Sequence, residues 1–144
     1  MLTTITDLLT ALLQLLKQKH LLSKDYQEHL LYERLQEGID DDIDRIKELA
    51  IACGYNELIA NAQNSLYRAS EILAIDDNVI SIEKKIVEEI QNIVIMLNNT
   101  KGDGIEGTFD QYKAQEGIIN ALGDISEKRV RDIYLLRFSS EKKL

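Results

Sequence analysis

The sequence predicts an all-α protein: a four-helix bundle with a short extra helix between the second and third long helices. Three observations predict it. Apolar residues recur at three- and four-residue spacing along most of the chain. Proline is absent and only 7 glycines occur, whereas a strand-rich chain needs many turn residues. Hydrophobic residues at 44% and charged ones at 29% are ordinary for a soluble globular chain, which argues against disorder. At 144 residues the expectation is one domain, 1–144, with a proper core.

The first helix is predicted over 3–22, where Ile5, Leu8, Leu9, Leu12, Leu13 and Leu16 recur between Asp7, Thr10, Gln14 and Lys17. Ser23 then offers an N-cap oxygen for a longer second helix, 24–53. Its apolar stripe is Leu31, Leu35, Ile39, Ile43, Ile46, Leu49, Ala50 and Cys53, and Gly54 is a natural stop. Gly38 inside it costs about 1 kcal/mol relative to Ala and marks a tight packing point.

A shorter pattern over 56–73 runs through Leu58, Ile59, Ala62, Leu66, Ala69, Ile72 and Leu73. Asp76, Asp77 and Asn78 cap the next helix, which carries Val79, Ile82, Ile86, Ile90, Ile93, Val94 and Leu97. Residues 98–107 hold three of the glycines and form the one long loop. The last helix, about 113–139, shows Ile118, Ile119, Leu122, Ile125, Val130, Ile133, Leu136 and Phe138.

Charge and composition exclude several functions. With 17 Lys+Arg against 25 Asp+Glu and a net charge of −8, the chain is not expected to coat DNA, since that affinity comes from clustered cations. The single Cys53 excludes a disulfide framework and a cysteine zinc cluster, and reads as a small buried filler. Asp7 interrupts the N-terminal apolar stretch and no basic segment precedes it, so neither a signal peptide nor a membrane span is expected, and the location expected is cytoplasmic. The glycine loop lacks the Lys-Ser/Thr ending of a phosphate loop and the Asp/Asn ladder of a calcium loop. Two histidines and one cysteine leave little material for a nucleophile triad.

The remaining polar signal is ligand-type. His20 and His29 sit at the junction of the first two helices, and His29/Glu33 and Asp44/Glu48 are each four apart, on one face. At about 100° per residue on one continuous helix, with His29 at zero, Glu33 falls at about 40°, Asp44 at about 60° and Glu48 at about 100°. The apolar stripe centres at about 240°, almost opposite. Along the axis the two pairs are about 22 Å apart at a rise of 1.5 Å per residue, beyond the reach of metal bonds of about 2.0–2.2 Å. Two copies packed antiparallel about a two-fold axis close that gap and make two sites. Taken singly, the same residues have plainer readings. His20 sits angularly beside Leu9, Leu13 and Leu16, as a core-edge histidine bound to a carbonyl would; His29 is an ordinary surface residue; Asp40, Asp41, Asp42 and Asp44 form a solvated acidic face.

The stretch HLLSKDYQEHLLYERLQEGIDDDIDRIKE, His20 to Glu48, resembles the ferroxidase region of the Dps-type miniferritins, in the ferritin-like superfamily. That family closes its first helix with a histidine and opens its second with a histidine and an acid four apart. Asp-x-x-x-Glu follows fifteen residues after the second histidine, and His20, His29, Glu33, Asp44 and Glu48 match. Tyr26 stands where the family usually has an aromatic, and weaker similarity covers the whole chain. Departures are a shorter segment between the histidines, Leu21 where tryptophan is common, Glu33 in place of aspartate, and no basic N-terminal tail.

The resemblance implies a ferritin-like fold, Fe(II) oxidation by peroxide or oxygen at sites shared between subunits, iron storage or detoxification, and two-fold dimers within a dodecameric homo-oligomeric shell. All five residues are then both metal ligands and catalytic groups. Imidazole and carboxylate suit iron, with zinc possible as a substitute, and the nine acids and four bases of residues 24–50 would draw cations in. The alternative is a metal-free helical module that binds a protein partner.

Overall fold

The computed structural model describes residues 2–55, 64–100 and 109–142. Every regular element among them is a helix: α1 Leu2–Leu21, α2 Tyr26–Gln36, α3 Ile39–Ala52, α4 Ser65–Ile75, α5 Val79–Thr100 and α6 Phe109–Lys142. Helices α1, α3, α6 and α5 pack in a ring, each on the next, while α2 and α4 lie on α1. None of the described helices is long and apolar enough to cross a membrane.

Helix α1 meets four neighbours, so its burial extends beyond one stripe. Leu2, Ile5, Leu8, Leu9, Ala11, Leu12, Leu13, Leu15 and Leu16 are all buried. Each large side chain so placed contributes about 1.5–3 kcal/mol from its removal from water. Asp7 is buried among them, and Arg68 of α4 grips it with a fork, Nε to Oδ2 at 2.6 Å and Nη2 to Oδ1 at 3.2 Å. The residue expected to break the apolar run thus ties α4 to α1.

The expected continuous helix over 24–53 is two helices. Glu37 (φ −60°, ψ 130°) and Gly38 (φ 81°, ψ −5°) occupy the central positions of a type II turn. Glycine tolerates that left-handed conformation because it has no Cβ, so Gly38 is a hinge between α2 and α3, not a packing point inside one rod. The cap also moves: Asp25 accepts from the Glu28 amide at 2.8 Å, whereas Ser23 Oγ donates back to the Lys19 carbonyl at 2.8 Å. The expected stop holds, with Gly54 at φ 81° and the Tyr55 amide donating to the Ala50 carbonyl at 2.9 Å.

Residues 56–63 of the expected short helix, with Leu58, Ile59 and Ala62, lie outside the described residues. The described part is helical but buries Ala69 fully and leaves Leu66 exposed. The cap at 76–78 is as expected: Asn78 Oδ1 accepts from the Ser81 amide at 3.0 Å, and Asp76 accepts from the Asn78 amide and from Lys85. Helix α5 runs on through Thr100, so the long loop begins later than expected, and 101–108 lie outside the described residues.

On α6 the stripe Ile118, Leu122, Ile125 continues into Arg129, which is 2% exposed, while Val130 and Phe138, expected inward, are exposed. Three- and four-residue spacing carries the core face from Ile125 to Arg129 and Asp132; the apolar neighbour Val130 lies about 100° away.

Candidate metal centre

The turn after α1 is short, and the Asp25 cap starts α2 so that it folds back beside the end of α1. This sets His20, near the C-terminus of α1, against His29, on the second turn of α2. Their rings stack with centroids 3.8 Å apart and planes 30° from parallel. Glu33 follows one helical turn after His29. One ligand atom from each of His20, His29 and Glu33 falls within 4.8 Å of the others.

A metal bound at about 2.0–2.2 Å holds even opposite ligands at about 4.4 Å or less, so small side-chain rotations bring all three onto one ion. The donor set, two imidazoles and a carboxylate, fits a first-row divalent cation and leaves coordination positions open. His20 Nε2 is buried without a hydrogen-bond partner among the described residues. The plainer reading of His20, a core-edge ring satisfied by a carbonyl, leaves that nitrogen unexplained.

Asp44 and Glu48 stand one turn apart on α3, both exposed, and do not join this group within the chain. The type II turn at Glu37–Gly38 resets the angle between α2 and α3, so the angular reckoning from His29 to Asp44 and Glu48 does not carry across it. Within α3 their common face is kept. The acidic run at 40–44 is not uniformly solvated: Asp42 is buried and accepts from Lys128 Nζ of α6 at 3.0 Å. Asp40, Asp41 and Asp42 also occupy the first turn of α3, where the helix dipole favours negative charge.

A second polar group sits inside the bundle, and sequence reasoning missed it. Glu83 of α5 and Arg129 of α6 are fully buried or nearly so, with Asp132 beside them. Arg129 Nη2 lies 3.3 Å from Asp132 Oδ2, and its Nη1 lies 4.0 Å from Glu83 Oε1. Burial pushes the Glu83 carboxyl up to about 9, against the pull of Arg129 and helped by its neighbour Asp132. Asp132 is raised as well, again by burial and against Arg129. As a carboxylate Glu83 has no donor for either oxygen among the described residues; carrying a proton, it can donate to Asp132. The signal was present in the sequence, because Glu83 lies on the stripe of Val79, Ile82 and Ile86, and Arg129 on that of Leu122 and Ile125.

Comparison of the chain with protein-family models, curated proteins and solved structures finds no match.

Proposed function

We propose that this chain is a ferritin-like miniferritin that binds Fe(II) through His20, His29 and Glu33 and oxidises it at sites completed by Asp44 and Glu48 of a second copy. The observation that carries the reading is the convergence of His20, His29 and Glu33 in one chain, with His20 Nε2 buried and without a partner among the described residues. Two nitrogens and one oxygen hold a cation but do not fill its coordination sphere, which leaves room for an oxidant. Two Fe(II) ions give up one electron each to one peroxide, which with two protons becomes two waters. The carboxylates favour the ferric product.

Asp44 and Glu48 are exposed on one face of α3, and a neighbouring chain can reach them. Leu21, Leu22 and Tyr26, next to the histidines, are also largely exposed, at 81%, 67% and 74%, as an intersubunit contact requires. On this reading two-fold dimers assemble further into a shell that stores or detoxifies iron, with zinc as a competing ion.

The test is complementation. His29→Ala and Asp44→Ala each abolish Fe(II) oxidation alone, and mixing the two restores part of it, because one of the two sites in a mixed dimer keeps both halves. Full activity in either single variant overturns the reading. A metal-free monomer in solution points instead to a helical partner-binding module.

A further inference from the structure

Between α2 and the second half of α6 lies a cavity of about 240 Å³ with Arg34, Glu37, Lys128, Arg129, Arg131 and Asp132 in its walls. It is separate from the histidine group and its chemistry is of the opposite sign. Arg129 is 2% exposed, yet its Nε and Nη1 have no hydrogen-bond acceptor among the described residues. Nη1 stands 4.0 Å from the Glu83 carboxylate, too far for a hydrogen bond, and Nη2 lies 3.3 Å from Asp132 Oδ2. A guanidinium carries five donors in a fixed fork, and leaving buried donors unmet is costly. Arg34 and Arg131 are exposed, at the solvent side of the same cavity.

We propose that this cavity binds a small phosphate-type dianion, free or as the monoester of a small molecule, with Arg129 at its floor and Arg34 and Arg131 at its mouth. A tetrahedral oxyanion offers acceptors for the donors that Arg129 leaves unmet, and its oxygens can accept from several guanidinium forks at once. The four cations in these walls face two carboxylates, Asp132 beside Arg129 and the exposed Glu37, and the charges around them are paired or neutral. Lys128 holds Asp42 at 3.0 Å, Glu127 meets Arg131 only at 3.8 Å on exposed surface, where such pairs contribute little, and Glu83 carries a proton near neutrality. The chain's net charge of −8 makes the cavity a small cationic island, which suits a compact anion and not a nucleic-acid strand.

Calorimetric titration of the full chain with inorganic phosphate and with glycerol phosphate, at fixed ionic strength and with acetate as comparator, tests this. One saturable site per chain is expected, and the tighter of the two phosphates names the source of the ligand. Arg34→Gln and Arg131→Gln, both at exposed positions, each weaken binding several-fold, and together by about tenfold or more. Arg129→Lys, which keeps the charge and loses the fork, weakens it at least as much, while Lys17→Gln on α1 changes nothing. Absence of saturable heat, equal affinity for acetate, or unaltered affinity in the Arg34 and Arg131 variants overturns the proposal.

Discussion

The imidazoles of His20 and His29, from different helices, stack face to face at 3.8 Å. Only the tight α1–α2 turn makes that possible, since nothing in either helix alone brings the two rings together. With Glu33 one turn away, a single chain brings three ligand-type side chains together.

Metal addition therefore stabilises the isolated chain. At a Zn(II) or Co(II) concentration about 100 times the dissociation constant, the gain is about 2.7 kcal/mol. Thermal melts with and without metal measure it, and chelator reverses it. His29→Ala removes the gain, and an equal gain in that variant would show that the ion sits elsewhere. Because the ligands bind deprotonated, acidification weakens the effect.

Asp44→Ala separates binding from oxidation. Asp44 stands apart from the histidine group within the chain, so the variant keeps the metal-dependent rise in Tm while Fe(II) oxidation falls to background. Loss of both together would mean that Asp44 serves the chain's own structure instead.

Stability falls as pH rises across the neutral range because of Glu83. In the folded chain Glu83 holds its proton to about 9, against 4.5 for an ordinary glutamate. Between those values the native state binds the extra proton. Unfolding free energy then declines by at most about 1.4 kcal/mol per pH unit, complete above the folded value, with Asp132 titrating as part of the same pair. Glu83→Gln keeps the shape and cannot ionise, so urea melts between pH 5 and 9 show a flatter profile for it. An unchanged slope refutes the assignment.

Gly38→Ala and Gly123→Ala move stability in opposite directions. At Gly38 the φ of 81° strains any Cβ although the nearest atom, Lys128 Nζ, is 3.8 Å away; the cost is about 1–2 kcal/mol. At Gly123, exposed in α6 with nothing within 4 Å, alanine gains up to about 1 kcal/mol from helix propensity. Chemical denaturation of the two variants checks both signs, and a neutral Gly38→Ala would mean that the α2–α3 turn does not persist in solution.

Much of this protein is legible in its sequence, because helical periodicity and caps are local. The stripe of α1, the Asn78 cap and the Gly54 stop depend on residues within a turn or two of each other, and so does the pairing of His29 with Glu33. The Glu37–Gly38 turn was harder to read, since a glycine inside a periodic apolar pattern is compatible with either a helix or a break, and packing decides. Val130, being apolar, reads as inward, yet Arg129 takes the position that the spacing from Ile125 dictates.

What the sequence determined by itself is the helical class, most helix positions and the ligand-type residues near the α1–α2 junction, all set by interactions between near neighbours. Only the tertiary structure decided that His20 meets His29, that Asp7 and Asp42 are buried against Arg68 and Lys128, and that Glu83, Arg129 and Asp132 share the interior. Apart from Arg129–Asp132, one turn apart on α6, those are contacts between separate helices, where packing brings a charged residue its partner or keeps its proton on.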